Sequence, residues 1–369
     1  MTQPASLTFP QALEHIAERA GTVDTLSLWP ADNIADLAAC SAMSWAIPHA
    51  DGGSQVDPVE LHQRYEALCG ACLTTGLVFT QRDAAVGFLV GSERTPTVQR
   101  LLHEMARGQT FCTIGISQLT TSRQHLPSAV TATPAPGGYL LRGAIPWVTS
   151  LHHNDRVIAG AVLPDAAQLL VALDTHAPGV ELGPPLPLAA LTGSDTGEVR
   201  LHDVLVPHAD ILRGPCANAL AGRALVREFK LTACVLPLGV AAAAIEQAAS
   251  LALARSQACQ DAIAELAAQH HRLRTEIYAA ATSDQIDLST QGPRLRAAAN
   301  SLAARATLAA LELAKGHGFL AGEPAQRRAR EALFFFVWSS PPAIIEQTLA
   351  ALTAPLGVPP HFSGPKGRN

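Results

Sequence analysis

Trp147 and Thr149 stand two residues apart in GGYLLRGAIPWVTS, residues 137–150, where bulky apolar positions alternate with small or polar ones. That alternation is a strand pattern, and with residues 151–163 it reads as a pair of strands. A second run, FCTIGISQLTTS at 111–122, supplies another strand and a hydroxyl-rich turn that includes Ser117 and Ser122. An aromatic plane beside several hydroxyls suits a large flat heterocycle. Ring stacking contributes roughly 0.5–1.5 kcal/mol beyond burial, and hydroxyls and backbone N–H groups add hydrogen bonds. The competing reading is that Trp147 fills the interface between the sheet and a helix. On these residues alone both stay open.

Other motifs carry less. Cys69 and Cys72 in CGAC have redox spacing, but they lie in an amphipathic helical pattern with neither a βαβ context nor a second pair for zinc, so buried small residues are expected. Asp195-Thr196-Gly197 matches the aspartic-protease triplet, which needs two such carboxylates sharing a proton; this chain has one. GHGFLA, Gly316 to Ala321, imitates a dinucleotide fingerprint but follows a helix instead of a strand. The pairs His152-His153 and His270-His271 lack a Cys, Asp or Glu cluster to complete a metal site, and surface positions are expected for them. No GxSxG, Walker A or HExxH pattern occurs.

The elements that must position these residues follow the order α, β, α. Residues 10–108 read as helices; Asp57 as N-cap, Pro58 at the first helical position and Glu60 at the third start one that continues through Cys72 and Leu73. From 110 to 212 short β-type runs (FCTIGIS, GYLLRGAIPWVT, DRVIAGAVL, QLLVALDT, GEVRLHDVLVP) alternate with Gly, Pro, Asp and Asn, giving a β-domain of about seven strands. Helical periodicity returns, with helices expected over 221–256, 259–283, 293–315, 324–338 and 342–352. The expected domains are 1–109, 110–214 and 215–354, with a flexible Pro/Gly-rich tail at 355–369.

Composition narrows the function classes. In 369 residues, 48% hydrophobic and 15% charged, the balance favours large buried surfaces. The net charge is −5 and the basic residues are scattered, so no nucleic-acid footprint is expected. No uncharged apolar run reaches the roughly 20 residues of a membrane span. The N-terminal residues do not resemble a targeting peptide. Seven thinly spread cysteines describe no disulfide framework; a cytoplasmic location is expected. Alanine-rich helices such as RLRAAANSLAARATLAALELAKG let helices approach closely and suit subunit contacts.

The whole layout resembles the acyl-CoA dehydrogenase family over roughly residues 10–352: an N-terminal helical domain, a central β-barrel or sandwich domain and a C-terminal four-helix bundle, an α+β fold. GGYLLRGAIPWVTS is similar to the family's Gly-Tyr…Gly-x-Lys-x-Trp-Ile-Thr-Asn. GSDTGEVRLHDVLVPHADIL is similar to its Gly-Thr…Val-x-Val-Pro…Leu, and LALARSQA and LELAKGHGF resemble its bundle. The resemblance implies bound FAD, an acyl-CoA thioester as substrate, and a homodimer or homotetramer. It implies that Trp147 packs against the isoalloxazine and Thr149 hydrogen-bonds near N5. It places Ser117 and Ser122 at the flavin, the latter near the pyrophosphate. Arg255 would reach the FAD of a neighbouring subunit, with Gly316 and Gly318 near that FAD's adenine end.

The chain departs from the family where proton chemistry is done. The Thr-Glu-Pro-x-x-Gly-Ser-Asp pattern is absent, and the Phe-Gly after the arginine reads Ala258-Cys259. The catalytic Tyr-Glu-Gly-Thr aligns with Trp338, Ser339, Ser340 and Pro341, so Ser339 takes the place of the base. A serine hydroxyl removes no α-proton without a base of its own. Some members carry the glutamate early in the first bundle helix, and Glu228 lies within about one residue of that position, although one residue turns a helix by about 100°. Three functions follow: an FAD-dependent CH–CH oxidoreductase with a relocated base, Glu228; monooxygenase-type flavin chemistry on the same scaffold; or a non-catalytic FAD-binding subunit of a heteromeric dehydrogenase.

Overall fold

Asp57 starts its helix as expected: its carboxylate accepts from the N–H groups of Val59 and Glu60, with Pro58 at the first position. A computed structural model describes residues 7–120, 129–221, 223–282 and 291–353, the side chains of 223–229 excepted. The N-terminal helices are α1 (Phe9–Thr25), α2 (Ala31–Ala39), α3 (Pro58–Ala71), α4 (Leu73–Val90) and α5 (Pro96–Ala106). The single helix expected through Cys72 is two, because Cys72 adopts an extended conformation, φ −155° and ψ 111°. Cys69, in the last turn before the break, and Cys72, at it, are buried as small core residues.

Helix α4 has no solvent-facing polar stripe because it is covered on nearly every side. Leu77, Val78 and Phe79 enter a core shared with α1, α3 and the C-terminal helices. Val86, Phe88 and Leu89 enter a second core with α5 and one face of the sheet. Arg82 lies in this helix with no exposed surface. It pairs with Asp83 and donates to the carbonyls of Met43 and Met105 at 2.7 and 2.6 Å. Removing one partner of a buried pair strands the other charge, at about 3–5 kcal/mol. Arg82→Met should lower the urea-unfolding stability by about that amount; a loss within about 0.5 kcal/mol, the range of an ordinary surface substitution, would contradict the assignment.

The middle of the chain holds β1 (Cys112–Gly115), β2 (Val130–Ala135), β3 (Gly138–Val148), β4 (Arg156–Val162), β5 (Gln168–Asp174), β6 (Val180–Pro185), β7 (Gly197–Pro207) and β8 (Ile211–Cys216). They form one mixed sheet in the order β6-β7-β3-β2-β4-β5-β8, with β1 parallel to β4. Eight strands replace the seven expected. The three without a clear sequence run are β2, β6 and β8. Of these β6 and β8 are edge strands, where Pro184, Pro185 and Pro215 are tolerated because an edge N–H is dispensable. Along β4 the period of two splits the side chains: Val157, Ala159 and Ala161 face one core and Ile158 the other.

The C-terminal helices are α6 (Arg223–Ala252), α7 (Gln257–Thr282), α8 (Gln291–Ala314), α9 (Pro324–Phe334) and α10 (Pro342–Leu352). Small residues let them close up: a Cβ on Gly239 of α6 would meet the Glu66 carbonyl of α3 at 2.0 Å. Within α6, Lys230–Ala252 is long and apolar enough to cross a membrane, interrupted only by Glu246, but 72% of that window is buried in the fold. His270 is corrected from a surface residue. Only 14% of its side chain is exposed, and its Nε2 lies 3.2 Å from the Leu238 carbonyl. His271 is exposed. The expected helix over 324–338 ends at Phe334, for a reason that bears on the site. The tail at 355–369 and Ser122 lie outside the described residues.

Candidate functional site

A break in strand register presents Trp147. Strand β3 shifts register against β7 once between Leu141 and Gly143, pairs in order from there to Ile145↔Val199, and resumes at Val148↔Gly197, so the two ladders slip again at Pro146-Trp147. Pro146 has no N–H for the ladder, and bulges re-aim side chains. The indole is 52% exposed, so it does not fill the sheet-to-helix interface within this chain.

Thr149 is buried and held from three directions. Its carbonyl accepts from the Thr113 hydroxyl at 2.8 Å and the Asn154 amide at 2.9 Å. Its own hydroxyl accepts from Thr196 at 3.4 Å, and Thr196 in turn contacts Ser194 at 2.8 Å. With its lone pair engaged, the Thr149 hydroxyl has its hydrogen free to donate. On the neighbouring strand–turn segment the Ser117 hydroxyl is buried with no partner among the described residues, as is the Gln118 side-chain oxygen. A half-exposed indole, an uncommitted hydroxyl hydrogen and an unpartnered buried hydroxyl fit a flavin. Thr113 and Thr196 went unrecognised in the sequence because their role depends on contacts 36 and 47 residues away, and Asn154, five residues from Thr149, carried no motif.

The same corner gathers motifs the sequence left unexplained. Asp195 of the protease-like triplet accepts from the His152 N–H at 2.8 Å and lies 3.0 Å from its Nδ1. His153 stacks on Trp29 with centroids 3.9 Å apart and planes at 12°. Trp29 also donates to the Ser150 hydroxyl at 3.0 Å. Burial lowers the His153 pKa below its ordinary 6.5, against the pull of Asp195; burial does the same to His270, against Glu66. The stability that these neutral imidazoles contribute is present above an unfolded value of about 6.5 and is lost as pH falls through the folded values. The Tm should therefore drop below about pH 6.5, and less steeply in His270→Gln. Equal slopes would refute this.

Arg255 lies just beyond α6 and donates to the Leu313 carbonyl at 3.1 Å, which joins it to the turn carrying Gly316 and Gly318. Its Nε has no partner among the described residues. A Cβ at Gly316 would meet open space, whereas one at Gly318 would strike Ala314 at 2.4 Å; packing alone accounts for Gly318. No hydrogen bond among the described residues joins this corner to Thr149.

The segment after α9 explains the early helix end. Past Phe334 the bonds tighten, with Phe335, Phe336 and Val337 donating to Ala332, Leu333 and Phe334, and further on Pro341 and Pro342 have no N–H to return to the carbonyls of Val337 and Trp338. Arg296 of α8 instead donates to the carbonyls of Trp338 and Ser339, the latter at 2.8 Å, and Asn300 donates to Phe335 at 2.8 Å. Ser339 is exposed and left-handed, φ 45°. Among the described residues no carboxylate or imidazole hydrogen-bonds its hydroxyl, so nothing there makes it a base. Arg296 is buried, and burial lowers its pKa. Glu228 falls on α6, with its side chain outside the described residues. Among the described residues, the buried carboxylates of Asp83 and Glu331 have pKa values raised by burial. Asp83 is committed to Arg82 and Tyr65, and Glu331 lies among Arg327, Arg328 and Arg330.

No protein-family model matches the chain. It is similar to a Bacillus subtilis protein named probable acyl-CoA dehydrogenase YngJ, 24% identical over 342 residues that cover 87% of this chain and 89% of the relative. It is also similar to isobutylamine N-hydroxylase of Streptomyces viridifaciens, 28% identical over 180 residues, 46% of this chain and 47% of that one. In fold it is similar to butyryl-CoA dehydrogenase from Megasphaera elsdenii, with a TM-score of 0.80 at 17% identity over 95% of this chain and 100% of that one.

Proposed function

For a chain that belongs to the acyl-CoA dehydrogenase family, we propose an FAD-dependent oxidoreductase acting on CH–CH groups, with its proton acceptor moved away from the usual position. The observation that carries this reading is Trp147, turned outward by a register break beside the buried Thr149 hydroxyl. Trp147, Thr149, Ser117 and Ser122 would hold the flavin, which when bound supplies a two-electron acceptor. Thr149 donates the hydrogen left free by Thr196, and Trp147 covers a ring face. Glu228 is the carboxylate proposed to take the substrate proton, since Ser339 has no base to activate it. The substrate class is an acyl-CoA thioester. A spectrum of the purified protein before and after an acyl-CoA panel tests this: flavin bands that bleach support it, and a colourless protein that takes up no FAD overturns it.

The second reading is monooxygenase-type chemistry. It is favoured by the neutral hydroxyl at Ser339, a residue whose backbone carbonyl Arg296 holds ahead of two prolines, and by the N-hydroxylase relative. Oxygen uptake with reduced flavin, without bleaching by any acyl-CoA, would select it.

The proposed assembly is a homodimer or a dimer of dimers, with Arg255, Gly316 and Gly318 serving the partner's FAD. Leu253 and Phe319, each 77% exposed, flank these residues and suit an apolar contact. A light-scattering mass of a single chain at micromolar concentration, with FAD still bound, would refute this.

A further inference from the structure

Strand β1 ends at Gly115 and passes almost at once into a short 3-10 turn, Ser117–Leu119. A turn of this length has little to hold it from within. Leu119 donates its N–H to the Ile116 carbonyl at 2.9 Å, and Thr120 donates to that of Ser117 at 3.2 Å. What fastens the turn to the sheet is the side chain of Gln118, only 7% exposed. Its Nε2 donates to the carbonyl of Gly115 at 2.8 Å and to that of Gly160, in β4, at 2.9 Å. An amide NH2 has two hydrogens for these two acceptors, whereas a carboxylate has none and a neutral acid has one. The opposite orientation would set Oε1 against two carbonyl oxygens.

Both glycines are places of close approach. A Cβ on Gly160 would strike Leu119 at 2.2 Å, so the leucine lies over bare backbone whose carbonyl Gln118 holds. A Cβ on Gly115 would meet Ile145 at 2.7 Å and Val148 at 3.0 Å, the residues that bracket the slip at Pro146-Trp147. Two residues earlier in β1, Thr113 holds the Thr149 carbonyl. The Ser117 turn is thus tied to the backbone beside both Trp147 and Thr149. The Ser117 hydroxyl has no partner of its own among the described residues, so its place is set by the turn that carries it.

We infer that Gln118 is a positioning residue of this site: it clamps the Ser117–Leu119 turn to Gly115 and Gly160 and so presents the Ser117 hydroxyl to the flavin. The inference rests on the flavin reading given above. Gln118 acts through Ser117, and no covalent bond changes.

The test uses the purified full-length protein, dialysed free of flavin and titrated with FAD while flavin fluorescence is followed. Gln118→Met keeps the side-chain length and removes both donors. With the turn in place about a tenth of the time, the apparent Kd rises about tenfold, and that is the expected loss. Ser117→Ala and the double variant complete a double-mutant cycle. Because Gln118 acts through the Ser117 hydroxyl, Gln118→Met should cost less than about twofold once residue 117 is alanine. A residue that merely supports the fold would cost the same in both backgrounds. Amide hydrogen exchange needs no flavin: the N–H groups of Leu119 and Thr120 should lose protection in Gln118→Met and keep it in Ser117→Ala. Gln118→Glu, of the same shape with at most one hydrogen to donate, carries the same test where the methionine variant does not fold. Unchanged FAD affinity, equal losses in the two backgrounds, or unchanged exchange would overturn the inference and leave the flavin reading standing. A wild-type protein that takes up no FAD would overturn that reading and this role with it, even where exchange shows the clamp.

Discussion

Replacing Trp147 by Ala together with Thr149 by Val should strip most of the flavin from a protein that still folds. Trp147 is half exposed, so its loss costs the sheet little packing. Val keeps the shape of Thr149 while removing the hydroxyl. Stacking contributes roughly 0.5–1.5 kcal/mol and a hydrogen bond about 1–1.5 kcal/mol. Together, about 1.5–3 kcal/mol weakens binding roughly 12- to 140-fold, at tenfold per 1.4 kcal/mol. The flavin-to-protein absorbance ratio after gel filtration reads the loss, and circular dichroism checks the fold. An unchanged ratio would remove both residues from the flavin site.

Glu228→Gln should abolish flavin reduction by whatever substrate works, whereas Ser339→Ala should hardly matter. General-base catalysis is worth about 10²–10⁴-fold, and Gln keeps the size of the carboxylate without its basicity. Ser339 starts from a neutral hydroxyl, exposed in a left-handed turn whose carbonyl is held by Arg296. Pro341 and Pro342 follow at once and offer no N–H. The contacts of a Gly-Thr segment cannot be repeated there, which suggests a changed reaction. Anaerobic bleaching of both variants over a substrate panel decides. Rapid bleaching by a straight-chain acyl-CoA that is lost in Ser339→Ala and kept in Glu228→Gln would reverse the assignment.

The sequence by itself determined what repeats locally. The cap at Asp57, the alternation in β3, β4, β5 and β7, and the helical period after residue 221 all depend on neighbours within one turn or one pleat. Their order was enough to establish the fold. The short edge strands β6 and β8 escaped, because an edge strand that carries proline has no alternation to announce it. The break at Cys72 escaped because a covered helix and the next one share an unbroken apolar run.

At the candidate site the division is sharper. Trp147 and Thr149 were legible as residue types, but only the register slip against β7 turns the indole outward, and only Thr196, 47 residues on, leaves the Thr149 hydrogen free. Arg296 gave no sequence signal; it matters because two prolines leave a carbonyl that α8 happens to reach. Asp195 and His152 each looked like an incomplete motif, and the fold joins them across 43 residues. Periodicity and caps are properties of the local chain, whereas hydrogen-bond partnership between distant residues exists only once the sheet and bundle have closed around them.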